Sequence, residues 1–529
     1  MFRRSLVATG LFLSFALASC FGSDSPPLRV DLLISGGTLY DGTGGEAAVG
    51  DVGVIEDRIA FVGDPGEPIE AQDTVDAGGL VVTPGFIDMH SHAELDEEYG
   101  RDGAPFLFQG ITTVVLGLDG GGTDEVQRRF DEWTRTGIGV NATHFVGHGY
   151  LRRTTMGYED RPPTPAEMEE MKARVRSAME QGAFGLSSGL FYLPGNYAET
   201  DEVVELATVA AEYEGAIYDT HDRDLGAVYG GVGYDASVLE AIEIGERSGT
   251  RVIFSHFNPQ SVVNYGRAEV GARYIEEARA RGVEVVAAQH PYTATQSNLR
   301  SYTVPNWAVV GGDTAMLRRF DDPDTVALIE RDSEGMLALR GGAEKILFGD
   351  PRPQLNGKTL AEVATEMGVE PSAADRAILR DGNAVVMNLD LYHAENTRYL
   401  ARMPWMMTCT DGRPPAAGQE VVHPRVYGAF AKKLREMALD GDVISVPFAI
   451  RSFTGLAADF LRLPDRGYLR TGQRADITVL DLDRYRDRAT YREPHQYAEG
   501  VRHVLVNGLF AVRDGELTGT TAGIPIARP

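Results

Sequence analysis

Four short stretches of this chain each finish an extended, apolar run with residues that bind metal ions. They are Gly85-Phe86-Ile87-Asp88-Met89-His90-Ser91-His92, Ile217-Tyr218-Asp219-Thr220-His221, Val252-Ile253-Phe254-Ser255-His256 and Trp405-Met406-Met407-Thr408-Cys409-Thr410-Asp411-Gly412. Residues i and i+2 of a strand point the same way, so His90 and His92 project to one side as a chelating pair. His221 and His256, on later strands, and the Asp411 carboxylate complete a set suited to one or two zinc ions. A metal lowers the pKa of its bound water to about 7, and a neighbouring carboxylate can take that proton and pass it to a leaving amine. Asp411 is the candidate for that general base. The chemistry expected is hydrolysis.

Such donors need a scaffold that gathers strand ends. Strand-like runs occur at Leu80 to Met89, Gly110 to Leu118, Val140 to Val146, Gly182 to Ser188, Ala216 to Thr220, Arg251 to Ser255, Val283 to Gln289 and Met403 to Thr410. Helical patterns lie between several of them. One runs from Pro165 to Gln181, with Thr164 as cap and Pro165 at the first position; others are Asp201 to Glu214 and Ser237 to Ser248. Eight strands with intervening helices predict an α/β fold, a (β/α)₈ TIM-like barrel over residues 83–465, whose sites gather at the strands' C-terminal ends. A polar, helical stretch at about 306–381 reads as an insertion before the last barrel strand. Residues 28–82 and 466–529 share a texture of short strands and turns, which predicts one small β-sandwich formed by both termini.

The chain has 529 residues, of which 43% are hydrophobic, and carries 50 Lys+Arg against 77 Asp+Glu for a net charge of −27. That surface repels phosphate backbones and anionic headgroups, so no nucleic-acid partner is expected. The N-terminus reads as an export signal over residues 1–19: Arg3 and Arg4, then an apolar core from Leu6 to Leu17 that is too short to span a bilayer. It ends in Leu17-Ala18-Ser19-Cys20, which resembles the lipobox of bacterial lipoproteins, and a polar tether follows to residue 27. The expectation is a lipidated Cys20 on an exported protein facing the periplasm or cell exterior, with membrane contact only through that anchor. Cys409 is the only other cysteine, so the fold rests on its core and not on a disulfide.

Pro84-Gly85-Phe86-Ile87-Asp88 leading into His90-Ser91-His92 resembles the first barrel strand of the amidohydrolase superfamily. The resemblance narrows to the N-acyl-D-amino-acid deacylase (D-aminoacylase) family through an ordered set of motifs. These are Gln109-Gly110-Ile111-Thr112-Thr113-Val114-Val115, Gly147-His148-Gly149-Tyr150-Leu151-Arg152 and Gly182-Ala183-Phe184-Gly185-Leu186-Ser187-Ser188-Gly189-Leu190. Pro291-Tyr292-Thr293-Ala294, His423-Pro424-Arg425-Val426-Tyr427-Gly428, Pro494-His495-Gln496-Tyr497 and Val504-Leu505-Val506-Asn507-Gly508 follow. The match spans nearly all of the mature chain.

By position, the resemblance implies that His90 and His92 bind the more exposed metal and His221 and His256 the buried one. A bridging cysteine is typical at the end of the second strand, and Asp119 occupies that position here. A carboxylate is a harder donor than a thiolate, so selection for zinc over manganese or cobalt is weakened. Arg425 is implied as the fork that holds the substrate's α-carboxylate, assisted by Tyr292, with His148 lining the pocket. Asn258 stands where some relatives carry lysine, and His290 where tyrosine is common, so an acidic substrate is not supported. The implied reaction is hydrolysis of the amide of N-acyl-D-amino acids, or of dipeptides with a D-residue, by metal-bound hydroxide with Asp411 as proton shuttle. Two alternatives stand beside it: a cyclic-amide hydrolase of the dihydroorotase or hydantoinase kind, and a non-catalytic ligand-binding lipoprotein.

Overall fold

The computed structural model describes residues 27–416 and 421–529, so the expected leader and Cys20 lie outside the described residues. Eight parallel strand positions close on one another. Phe86–Asp88 pairs with Ile111–Leu116, which pairs with Asn141–His144. The third strand is interrupted at Phe145 and resumes as Val146–Gly147 beside Gly185–Gly189. Ile217–His221, Arg251–Phe254, Val285–Gln289 and Met406–Thr408 continue the series in parallel register. Closure of the eighth strand on the first is made by single bonds: Met89 N to Thr408 O at 3.4 Å, Asp411 N to His90 O at 2.8 Å and His92 N to Gly412 O at 3.0 Å.

Asp88 pins that seam. Its carboxylate accepts from Thr410 N at 2.9 Å and Thr410 Oγ1 at 2.5 Å across the closure. Burial pushes the Asp88 carboxyl up to about 6, against the pull of those hydrogen bonds. Parallel strands covered on both faces are largely apolar, and every residue of Ile111–Leu116 and Arg251–Phe254 is buried. Helices make the crossovers. Pro165–Glu180 starts as the sequence predicts, with a capping box in which Thr164 and Glu167 satisfy each other's backbone N–H. Ala268–Ala280 turns Ala268, Ala272 and Ile275 onto the strands, and burial of Ile275 alone contributes about 1.5–3 kcal/mol.

The two chain ends build one hydrogen-bonded sheet with its own core. Val81–Pro84 pairs antiparallel with Ile477–Leu480, which joins the N-terminal strands to Val501–Val506 and Leu509–Arg513. Leu28–Leu39 branches the sheet, pairing with Ile69–Asp76 over its first half and Val81–Pro84 over its second. Ile34, Val52, Ile59, Ile477 and Val479 fill the core so enclosed. The last residues then leave this sheet for the barrel. Ile524 and Ile526 bond both backbone groups of Ala142, and Arg528 N reaches Gly182 O. The tail therefore straps the starts of the third and fourth strands, which the sequence reading did not anticipate.

The excursion between the seventh and eighth strands is larger than a helical stretch at 306–381. It is framed by a three-stranded antiparallel sheet, Thr295–Asn298, Val385–Asn388 and Ile346–Phe348, and its helices share a separate core around Leu299, Ile346, Phe348 and Leu360. Among the described residues no helix is long and apolar enough to cross a membrane.

Candidate metal centre

Asp119, His256 and Asp411 each follow a barrel strand, and each has a left-handed backbone, with φ of 54°, 30° and 49°. Outside glycine that conformation costs about 1–3 kcal/mol per residue and persists only where the surroundings over-determine it. Asp119 reaches its place through Gly117, itself at φ 81°, where a Cβ would come within 2.3 Å of Phe145 O. Only glycine lets this turn lie against the third strand.

The side chains converge. Asp119 Oδ1 lies 3.5 Å from His90 Nε2 and 3.8 Å from His256 Nε2, while its Oδ2 lies 3.3 Å from His92 Nε2. Asp411 Oδ1 is 3.8 Å from His90 Nε2 and 3.3 Å from His92 Nε2. Two donor triads result, His90–His92–Asp411 and His90–Asp119–His256, with ligand atoms inside each mutually within 4.8 Å. His90 is common to both. His221 packs its ring 4.5 Å from that of His256 and lines the same cavity, yet it stands outside either triad.

His90 is held in the tautomer a cation requires. Ser255 Oγ donates to Asp219 Oδ2 at 2.8 Å, so at 2.8 Å from His90 Nδ1 it is the acceptor. The proton therefore sits on Nδ1, and the Nε2 lone pair faces the carboxylates, the arrangement typical of an oriented metal-ligating histidine. His90 Nε2 and Asp119 Oδ1 are both buried without a hydrogen-bond partner. Converging imidazole and carboxylate donors with unmet lone pairs fit a zinc-like cation. The carboxylates make this a site that draws positive charge. Burial works against a charged His92, but its hydrogen bonds to the Asp119 and Asp411 carboxylates outweigh it and hold the imidazole at about 9. Burial also opposes ionisation of Asp411, yet the Arg425 guanidinium and His256 keep its carboxyl well below the usual range. His221 is the reverse case, pushed down to about 3 by burial and by His256, and so is neutral.

His92, Asp119, His221, His256 and Asp411 line a cavity of about 420 Å³. Part of its wall comes from the excursion, through Gln296, Asn298 and Tyr302. Arg425 lines it as well, but its guanidinium is ion-paired to Asp411 and lies 3.3 Å from His290 Nε2. Two expected residues are elsewhere. His148 does not line the cavity; its Nε2 bonds Glu202 Oε1 at 2.9 Å in a buried network completed by Arg152. Tyr292 lines a different pocket, where its hydroxyl donates to Asp487 Oδ2 at 3.4 Å. Motif membership located both in the sequence, but it carried no information on which way either side chain turns. Asn258 turns away too, bonding Thr397 Oγ1 at 2.7 Å.

The sequence reading used His290 only as a guide to side-chain preference, and it passed over Asp222. His290 directly follows the strand Val285–Gln289, a position as conspicuous as that of His256, and stands 4.0 Å from Asp411. Burial, then Arg425, keeps its imidazole well below the ordinary value. Asp222 follows His221 and lines the cavity. Lys433 is buried and donates to Thr408 Oγ1 at 2.6 Å.

Comparison with known proteins agrees with this architecture. The model of the amidohydrolase family matches residues 73–512. The N-acyl-D-aspartate deacylase of Alcaligenes xylosoxydans xylosoxydans is 33% identical over 526 residues, covering 94% of each chain. The D-aminoacylase of the same organism is 33% identical over 537 residues, 96% of this chain and 99% of its own. The crystal structure of N-acyl-D-glutamate deacylase from Bordetella bronchiseptica, complexed with zinc and a phosphonate mimic of the tetrahedral intermediate, superposes with a TM-score of 0.80. It is 28% identical, and the match covers 95% of this chain and 100% of that one. The chain belongs to the amidohydrolase family, and within it to the N-acyl-D-amino-acid deacylase (D-aminoacylase) group.

Proposed function

We propose that this protein is a zinc-dependent amidohydrolase that cleaves the amide of N-acyl-D-amino acids or of dipeptides ending in a D-residue. One observation carries the reading: His90, His92, Asp119, His256 and Asp411 converge on two overlapping triads, with His90 Nε2 and Asp119 Oδ1 unpartnered and with His92, Asp119, His256 and Asp411 lining a cavity. The zinc and phosphonate complex of the Bordetella bronchiseptica deacylase supports it. His90, His92, Asp119 and His256 would hold the metal, and His221 stands close enough to complete the buried position. Zinc there would supply an acidified water and a Lewis acid for the carbonyl. A carboxylate in the bridging position also suits manganese or cobalt.

Asp411 touches both His92 and the Arg425 guanidinium. Its carboxylate is therefore ionised and able to accept a proton beside the metal position and release it to a leaving amine. Arg425, drawn to Asp411, faces the cavity, where a substrate carboxylate would compete for its second edge. Turnover of paired N-acetyl-D- and N-acetyl-L-amino acids by zinc-loaded protein tests the reading. Hydrolysis of the D-series is expected, and equal or faster hydrolysis of the L-series would overturn it.

The export reading is likewise proposed, on Arg3, Arg4, the apolar run to Leu17 and Cys20 in its lipobox-like setting. Cys20→Ser should release the protein from the membrane fraction. Retention with normal processing would sink the anchor.

A further inference from the structure

Four carboxylates lie close together beside His221, and only Asp222 among them lines the cavity; the other three have partners. Asp219 accepts from Ser255. Asp224 accepts backbone N–H groups from Gly226, Val228 and Gly233, which folds the loop after the fifth strand around it. Glu240 is paired with Arg223 at 2.7 Å. Asp222 is the exception: it is 3% exposed, it lines the cavity, and neither carboxylate oxygen has a hydrogen-bond partner. Among the described residues, the arginines that line the cavity and the one adjacent in sequence are engaged elsewhere. Arg425 is taken by Asp411, Arg413 by Glu94, and the adjacent Arg223 by Glu240 and the carbonyls of Asn196 and Ala198.

A buried carboxylate without a partner is costly, and the cost falls when a donor arrives from outside. The other acids around Asp222 (Asp219, Asp224 and Glu240) surround it with like charge, so a cationic donor would reach it by way of the cavity it lines. Leu225 and Val228 line the same cavity and suit the methylenes of an amine-bearing group. We propose that Asp222 is the recognition point for a primary ammonium carried by the substrate. This rests on the amidohydrolase reading and narrows it to substrates with a free amine. The amine has two sources, the N-terminus of an aminoacyl group or the side chain of a lysine-like D-residue. In both, an N⁺–H···O⁻ bond forms in a site sheltered from water, where charge-assisted bonds are strongest.

The test compares kcat/KM for zinc-loaded wild type, Asp222→Asn and Asp222→Glu on two nearly isosteric pairs. The first is L-alanyl-D-alanine against N-isobutyryl-D-alanine; the second is Nα-acetyl-D-lysine against N-acetyl-D-2-aminoheptanoate. Wild type should favour the ammonium member of one pair by about 10- to 100-fold, the discrimination a hydrogen bond to a charged group supplies. The favoured pair identifies the source of the amine. Asp222→Asn should bring that ratio near one, and Asp222→Glu should recover part of it, with zinc content at the wild-type level in both. A wild-type ratio near one in both pairs, a ratio that survives Asp222→Asn, or loss of zinc in that variant would overturn the assignment. If wild type hydrolyses none of the four, the amidohydrolase reading fails on its own account. Calorimetric Kd values for the first pair then decide on Asp222, by the same ratio in wild type and Asp222→Asn.

Discussion

Two buried polar clusters in this molecule contain similar groups and are built on opposite principles. At the junction of barrel and terminal sheet, Asp476 is ion-paired to Arg466 and accepts Asn507 N at 2.7 Å and Asn141 Nδ2 at 3.1 Å. Arg466 reaches Asn507 Oδ1 at 2.9 Å, and Asn507 Nδ2 closes the ring on Asn141 Oδ1 at 2.8 Å. The network is closed, as a buried polar group in a structural role must be. At the other end of the strands, His90 Nε2 and Asp119 Oδ1 meet at 3.5 Å without bonding, on a backbone held in three left-handed turns. A buried carboxylate is satisfied where it holds the fold together and left wanting where it binds something else.

Asp411→Asn tests the unsatisfied cluster most severely. It should lower kcat by about 10²- to 10⁴-fold, the range for a lost general base, while zinc content is retained. A kcat within tenfold of wild type would remove Asp411 from the proton path. Asp476→Ala tests the closed cluster. It strands the Arg466 guanidinium and should destabilise the fold by about 3–5 kcal/mol in urea titration. A change under ~1 kcal/mol would mean that the network is ornamental, since even one ordinary hydrogen bond is worth that much.

Asp119→Gly sharpens the contrast, because the two clusters should respond with opposite signs. It relieves a strained φ and removes a buried charge, so the metal-free protein should gain about 1–3 kcal/mol while zinc content drops. Asp119→Cys should keep zinc. Loss of stability in metal-free Asp119→Gly would place Asp119 with the structural residues.

Lys433 gives the mildest test. It lies outside both clusters and, among the described residues, has no carboxylate within ion-pair distance; burial lowers its pKa from 10.5 to about 7. Between those values the unfolded chain holds a proton that the folded chain has lost, so stability rises with pH. Below pH 7 both states are charged and the dependence vanishes. The stability difference between wild type and Lys433→Met should therefore shift in favour of wild type from pH 7 to 9, by at most about 1.4 kcal/mol per unit. A flat difference would show that the ammonium is tolerated where it lies.

Much of this was legible in the sequence wherever one rule governs position. Strands buried on both faces are apolar runs, so the barrel strands could be read, and donors just past their ends belong to one face of the barrel. His90, His92, His256 and Asp411 were found that way. Asp222 was not, because strand alternation turns it away from His221, and only the bend after the fifth strand returns it to the cavity. Thr295–Asn298 was missed because the strand reads Thr-Gln-Ser-Asn and its pairing owes nothing to an apolar pattern. His148 and Tyr292 show the limit of motif transfer: a side chain's direction is set by its partners, here Glu202 and Asp487.

The shared terminal sheet has a consequence for how the chain is made. Val81–Pro84 cannot acquire its partner Ile477–Leu480 until almost the whole polypeptide has been synthesised. At 5–20 residues per second that leaves roughly 20–80 s in which the N-terminal strands expose an unpaired edge. Such an edge invites intermolecular pairing in a crowded cytosol. It is harmless to a chain kept extended until synthesis is complete, so late closure of this sheet and passage through a membrane in the unfolded state are compatible.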